Sequence, residues 1–114
     1  MNLKSQDPTD VVLGLLDRSI CSIQVAACLV DKWGIYSWAW NHAGDGLGCH
    51  AERFVLRRAN PKRLSTSTLY VAARRLRNGK TVTARPCLDC QRLIRRVGRT
   101  IYRDQAGKWV KFEL

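Results

Sequence analysis

Thirty-three residues, 53–85, separate His50-Ala51-Glu52 from Pro86-Cys87-Leu88-Asp89-Cys90. Side chains that must meet on one ion constrain a fold more tightly than any propensity, because they force two distant segments together. One imidazole and two thiolates are donors that suit zinc. Three protein ligands leave a fourth position for water, as catalytic zinc sites do, whereas structural sites close all four positions. Glu52, two residues beyond His50, is then placed to carry protons between that water and a substrate. The competing arrangement is a closed structural zinc with Cys49 or His42 as the fourth donor and Glu52 idle at the surface. Cys49 fits such a site poorly, since consecutive residues on a helix point about 100° apart and two adjacent ligands would strain it.

The pattern along the chain is that of an α/β protein, read here as one domain over residues 1–114. Asp7-Pro8 is a helix start, and Val11, Val12, Leu15 and Leu16 repeat at helical spacing, which predicts a helix over 8–18. Residues 22–30 are apolar and rich in β-branched and small side chains, so they read as a buried strand. A turn at Asp31-Lys32-Trp33-Gly34 leads to a second, antiparallel strand over 35–40. Gly44, Gly46 and Gly48 mark a loop that delivers the chain to Cys49 and His50. A helix is expected over 51–59, ending at Asn60-Pro61 because the residue before proline avoids helical geometry. A third strand follows at 68–73, then a basic connection through Asn78-Gly79, a helix over 87–97 stopped by Gly98, and two short strands at 100–103 and 108–112. The four residues between those last strands cannot hold a crossover, so the pair must be an antiparallel hairpin.

Charge is distributed unevenly. Residues 1–52 carry a net charge of −3, residues 53–103 hold fifteen basic side chains against the single acid Asp89, and residues 104–114 balance. Such a segment is either a solubilising surface or the footprint of a polyanionic partner. Nucleic acid fits best, because each neutralised phosphate releases counterions without requiring sequence specificity. The arginines at 57, 58, 63, 74, 75, 77, 92, 95, 96 and 99 read individually as solvated or phosphate-facing charges, informative only as a collective field. The five cysteines suit a metal in a reducing cytoplasm better than a disulfide framework. Residues 1–8 lack the apolar core of a secretory signal, and no stretch has the roughly 20 apolar residues of a membrane span, so no membrane partner is expected.

The His-x-Glu and Pro-Cys-x-x-Cys elements, with their spacing and the order α-β-β-α-β-α-β-β, resemble the zinc-dependent cytidine deaminase superfamily over nearly the whole chain. The resemblance implies a three-layer α-β-α fold around a mixed five-stranded sheet with a C-terminal antiparallel hairpin. It implies Zn2+ held by His50, Cys87 and Cys90 in the first turns of two adjacent helices. His50 and Glu52 lie about 200° apart around a helix, so both face the metal only from a splayed first turn. Glu52 would shuttle protons while an activated water attacks C4 of a cytosine, giving uracil and ammonia. By the same resemblance Asn41 meets the sugar of the substrate, with a plain loop cap as its other reading, and the backbone of Ala51 meets the base carbonyl. The Arg85-Pro86 segment would receive the departing amine. Arg85 departs from the Ser, Thr or Glu found at that position in relatives, which opens a phosphate contact or an altered choice of base.

The favoured substrate is a cytosine within DNA or RNA, on the strength of the basic segment flanking the motifs. A free cytidine, deoxycytidine or cytosine nucleotide is the first rival, supported by the C-terminal hairpin, which resembles the free-nucleoside branch. That branch typically carries Cys where this chain has His50. A purine base is a third reading, and a non-catalytic nucleic-acid-binding module that keeps zinc for stability is a rival of another class. Trp33, Tyr36, Trp38, Trp40 and His42 gather around the second strand. They read as core filling or as a contact surface for a homo-oligomer, with Trp40 or His42 the candidates to stack on a flipped base.

Overall fold

The first helix begins where its cap chemistry says it should. Asp7 Oδ1 accepts the Thr9 backbone N–H at 2.9 Å and Pro8 occupies the first turn, where its missing N–H costs nothing. In the computed structural model, which describes residues 6–42 and 51–113, this helix α1 spans Pro8–Leu15 and tightens into a 3₁₀ turn over Leu16–Arg18. The expected helix over 8–18 is thus divided by its last turn. Gly44, Gly46, Gly48, Cys49 and His50 lie outside the described residues.

Strands β1 (Ile23–Asp31) and β2 (Gly34–Trp40) form a hairpin, with Gly34 at φ 112° in the turn and a register irregularity between Leu29 and Val30. Helix α2 (Ala51–Arg58) ends before Asn60, whose side chain accepts the Lys62 N–H and opens a 3₁₀ segment over Pro61–Thr66 that the sequence reading did not anticipate. Strand β3 (Thr68–Arg75) continues two residues further than expected. It turns at Asn78-Gly79, with Gly79 at φ 71°, into a two-residue strand β4 (Thr81–Val82). Helix α3 (Leu88–Ile94) is followed by β5 (Arg99–Arg103) and β6 (Trp109–Lys111).

The sheet runs β2-β1-β3-β5-β6, with β4 beside the end of β3. The five expected strands are present and a sixth, β4, is added, too short to leave a period-2 signal. Among the described residues only β3 and β5 pair in parallel, across the α3 crossover, and β5–β6 is the expected antiparallel hairpin. Alternation along β1 and β3 serves two cores. Val25, Ala27, Leu29, Leu69, Val71 and Ala73 face α2 and α3, while Ala26, Cys28 and Ala72 face α1. Leu29, Leu69 and Val71 are fully buried, and each such side chain contributes about 1.5–3 kcal/mol.

Gly98 follows α3, but not as a left-handed stop. Positive φ among the described residues is confined to Gly34, Gly79 and Gly107. A Cβ at Gly98 would stand 2.5 Å from the Ser65 carbonyl oxygen, and the Gly98 N–H bonds to Leu64 O at 3.0 Å. Close approach of two backbones is the reason for glycine there.

These connections bring functional segments to one end of the sheet. β1 starts opposite the end of β3, with Ile23 paired to Arg75. β2 ends at Trp40, and the Asn41 N–H bonds to Val25 O at 2.9 Å. Phe54, in the first turn of α2, meets His42 edge-on at 5.1 Å. The Ala84 N–H bonds to Arg103 O at the end of β5, just before Pro86 and Cys87. Ligands of α/β sheets commonly bind outside the carboxyl ends of strands, and β2, β3 and β5 all end on this side of the sheet.

Candidate active site

Glu52 is the second residue of α2, a position that points inward because Ala51, Val55 and Leu56 anchor the same helix in the core. Its side chain is 3% exposed, and Oε1 has no hydrogen-bond partner among the described residues. A carboxylate left this way is costly unless something polar meets it. The Cys90 thiol does hydrogen-bond to the carboxylate. Burial lifts the Glu52 carboxyl to about 7, against the opposing pull of a backbone hydrogen bond and the Cys90 thiol.

Cys90 is buried in the first turn of α3, and Cys87 is the exposed N-cap of the same helix. The Cys87 side chain makes no capping bond to the helix; it hydrogen-bonds instead to Cys90. Burial, then the charge of Glu52, then the bond to Cys87 push the Cys90 thiol well above the usual cysteine range, while Arg53 pulls the other way. A cation at the sulfurs would reverse that direction, since thiolate is the ligating form.

Two sulfurs beside a buried carboxylate with an unsatisfied oxygen suit a soft divalent ion and a water on it. His50 lies outside the described residues. Among the described residues no cluster of three or more His, Cys, Asp or Glu side chains is assembled as a metal cage, and His42 packs against Trp40 and Phe54. His50, the third donor expected from the motif, immediately precedes α2 in the sequence.

The other expected positions divide. Ala51 is fully buried at the first position of α2, where helix N–H groups lack intrahelical acceptors. Pro86 is buried, and its carbonyl accepts from Gln91 Nε2 at 3.0 Å. The Arg85 guanidinium stacks 4.9 Å from the centre of the Phe112 ring. Asn41, 0% exposed, is held as a bracket. Its Oδ1 accepts from Ser19 Oγ at 2.6 Å and the Val25 N–H at 3.0 Å, and its Nδ2 donates to Ile23 O at 2.8 Å. Those bonds tie the end of β2 to the start of β1.

Several charges and aromatics behave differently from the sequence reading. Arg63 grips Asp31 through two bonds of 2.6 and 2.7 Å and stacks on Tyr36, 3.8 Å from its centre. Arg74 bonds to Gln24 at 2.7 Å and to Asp17. Both therefore leave the solvated field. Trp33, in the turn between β1 and β2, and Trp38, on the edge strand β2, are 66% and 41% exposed, as a contact surface rather than core filling would have them. Arg53 was not singled out by the reading of arginines as a field. Its place immediately after Glu52 was the available signal for its influence on Cys90.

Residues 9–103 match the sequence model of a family described as the cytidine and deoxycytidylate deaminase zinc-binding region. No curated protein matches the chain. Among solved structures, the fold is similar to that of a cytidine deaminase from Burkholderia pseudomallei. The TM-score is 0.70 at 18% sequence identity, over 93% of this chain and 89% of that one. At that identity the likeness is one of fold.

Proposed function

Because the chain belongs to the zinc-binding cytidine and deoxycytidylate deaminase family, we propose that it hydrolyses cytosine to uracil and ammonia, and that its preferred cytosines lie within a nucleic-acid strand. The observation that carries the chemistry is Glu52, buried to 3% exposure with Oε1 unpartnered among the described residues and Cys90 alongside. His50, Cys87 and Cys90 would hold zinc, which when bound lowers the pKa of water to about 7 and leaves an open position for the attack. Glu52 Oε1 accepts one proton of the attacking water and delivers it to N3 of the ring, then accepts the second from the hydroxyl now on C4 and delivers it to the amine as the C4–N bond breaks and the carbonyl forms. The Ala51 N–H, at the head of α2, is the donor for the base carbonyl. The backbone of Arg85 accepts from the leaving amine, and the buried side of the site excludes solvent from these transfers.

The preference for a polymer rests on charge. Among the described residues the ion pairs are Arg63–Asp31 and Arg74–Asp17, so most of the fifteen cations of residues 53–103 stand without a carboxylate partner there. A free nucleotide would need two or three of them. A second reading, deamination of free cytidine, is favoured by the antiparallel β5–β6 hairpin and by the fold shared with a cytidine deaminase.

A panel assay for uracil separates the readings. It would offer cytidine, deoxycytidine, their monophosphates, and cytosine-bearing single- and double-stranded oligonucleotides to the zinc-loaded protein. Turnover of oligonucleotide above nucleoside is expected. Turnover of free cytidine alone would replace the first reading by the second, and binding of oligonucleotide without any turnover would leave a non-catalytic module.

A further inference from the structure

Arg53 and Arg57 are four residues apart on α2, hence on one face of the helix and about 6 Å apart along its axis at 1.5 Å per residue. Across from them, Leu93 belongs to α3 and Arg96 to the turn that follows it. Between the two helices lies a groove of about 410 Å³ lined by Arg53, Leu56, Arg57, Leu93 and Arg96. None of its three arginines takes part in an ion pair among the described residues. Arg92 and Arg95 of the same segment are exposed as well. Asp89, the one acid of α3, is exposed in its first turn and makes no ion pair among the described residues either. Arg53, at one end of the groove, follows Glu52 on α2 and its charge acts on Cys90, so that end lies close to the candidate active site.

We propose that this groove is the track for the sugar–phosphate backbone of a single-stranded nucleic acid whose cytosine occupies the site. The inference rests on the polymer-substrate reading above and names where the strand runs. Guanidinium groups meet phosphate oxygens through paired N–H donors, and Arg53 followed by Arg57 offers successive contacts at a spacing suited to an extended strand. The apolar floor of Leu56 and Leu93 gives sugars a surface that needs no hydrogen bonds. A protein partner would need acidic groups to match these cations. A nucleic-acid backbone supplies anions at every repeat, which is the complementarity the groove asks for.

The test uses the full zinc-loaded chain and fluorescein-labelled single-stranded DNA and RNA oligonucleotides containing cytosine, with binding followed by anisotropy across a salt series. Arg57→Gln/Arg96→Gln keeps the side-chain stems and removes two charges. Lys108→Ala/Lys111→Ala removes the same charge from exposed positions of the β5–β6 hairpin. For Arg57→Gln/Arg96→Gln the slope of log affinity against log salt should fall by about 1.4, at ~0.7 per lost single-strand phosphate contact. The hairpin variant should change it little, and Arg57→Lys/Arg96→Lys should restore it. Thermal midpoint and zinc content check folding. Should the glutamine variant not fold, protection of Arg57 and Arg96 from phenylglyoxal by bound oligonucleotide reads the same contact in the unaltered protein. If the unaltered protein binds no oligonucleotide, the polymer reading fails and the groove with it. If it binds but both double variants lose slope equally, or neither arginine is protected, the groove is overturned while the polymer reading stands. A dimer broken by Arg57→Gln/Arg96→Gln with oligonucleotide binding unchanged would likewise overturn it, in favour of a second copy of the chain.

Discussion

Glu52 concentrates the chemistry in one side chain, and its neighbours explain why a carboxylate is tolerated there. The Cys90 thiol donates to it and the remaining oxygen is left for a substrate or water. Glu52→Gln keeps the shape and removes the proton carrier. Turnover of the best substrate in the uracil assay should fall by about 10²–10⁴-fold, the usual worth of a positioned acid–base group. Zinc content and thermal midpoint should hold. Retained turnover in that variant would remove Glu52 from the mechanism. A second residue-scale prediction concerns Asp31, whose side chain is 4% exposed against Arg63. The Arg63 guanidinium holds its carboxyl below the ordinary carboxylate range. The carboxyl therefore adds stability that is present above that range and lost as pH falls through its lowered folded-state value. Asp31→Asn should destabilise the neutral protein by about 1.5–3 kcal/mol. The stability curves of the two proteins should converge in acid; parallel curves down to low pH would refute the assignment.

At the scale of elements, the turn after α3 is held by contact between backbones. Gly98 stands where a Cβ would press to 2.5 Å from Ser65 O and 3.0 Å from Ser67 O. Ser67 also receives the Arg99 N–H at 3.1 Å, so the neighbour is pinned. Gly98→Ala should cost about 1–3 kcal/mol and lower the thermal midpoint by about 4–12 °C. A midpoint within a degree of the parent would mean that the segment yields freely. The glycine was legible in the sequence as a stop for the helix. Its reason was not, because the opposing Ser65 comes from a 3₁₀ segment that no periodicity announced. β4 escaped for a related reason. Two residues carry no alternation, and only the Gly79 turn folding back on β3 makes Thr81 and Val82 a strand.

For the whole molecule the decisive property is the field of residues 53–103 acting beside the site. If three phosphates are neutralised, kcat/KM on a cytosine-bearing oligonucleotide should drop about twenty-fold from about 50 to about 200 mM salt, at ~0.7 per contact on the logarithmic slope. Free cytidine should be nearly indifferent over the same range. A flat oligonucleotide response would leave the cations a solubilising role. No helix among the described residues is long and apolar enough to cross a membrane.

The types and order of the eight expected elements could be read from the chain. Capping, periodicity and ligand spacing are local, and each residue carries its own part of the message. What the three-dimensional arrangement alone decided is which polar groups lose water and which find partners. Glu52 becomes a buried acid, Asn41 a bracket between strand ends, and Arg63 and Arg74 members of ion pairs, while Arg53, Arg57 and Arg96 line an open groove. Those outcomes depend on desolvation and on neighbours distant in the chain, such as Asp31 for Arg63 and Asp17 for Arg74, and only packing brings such neighbours together.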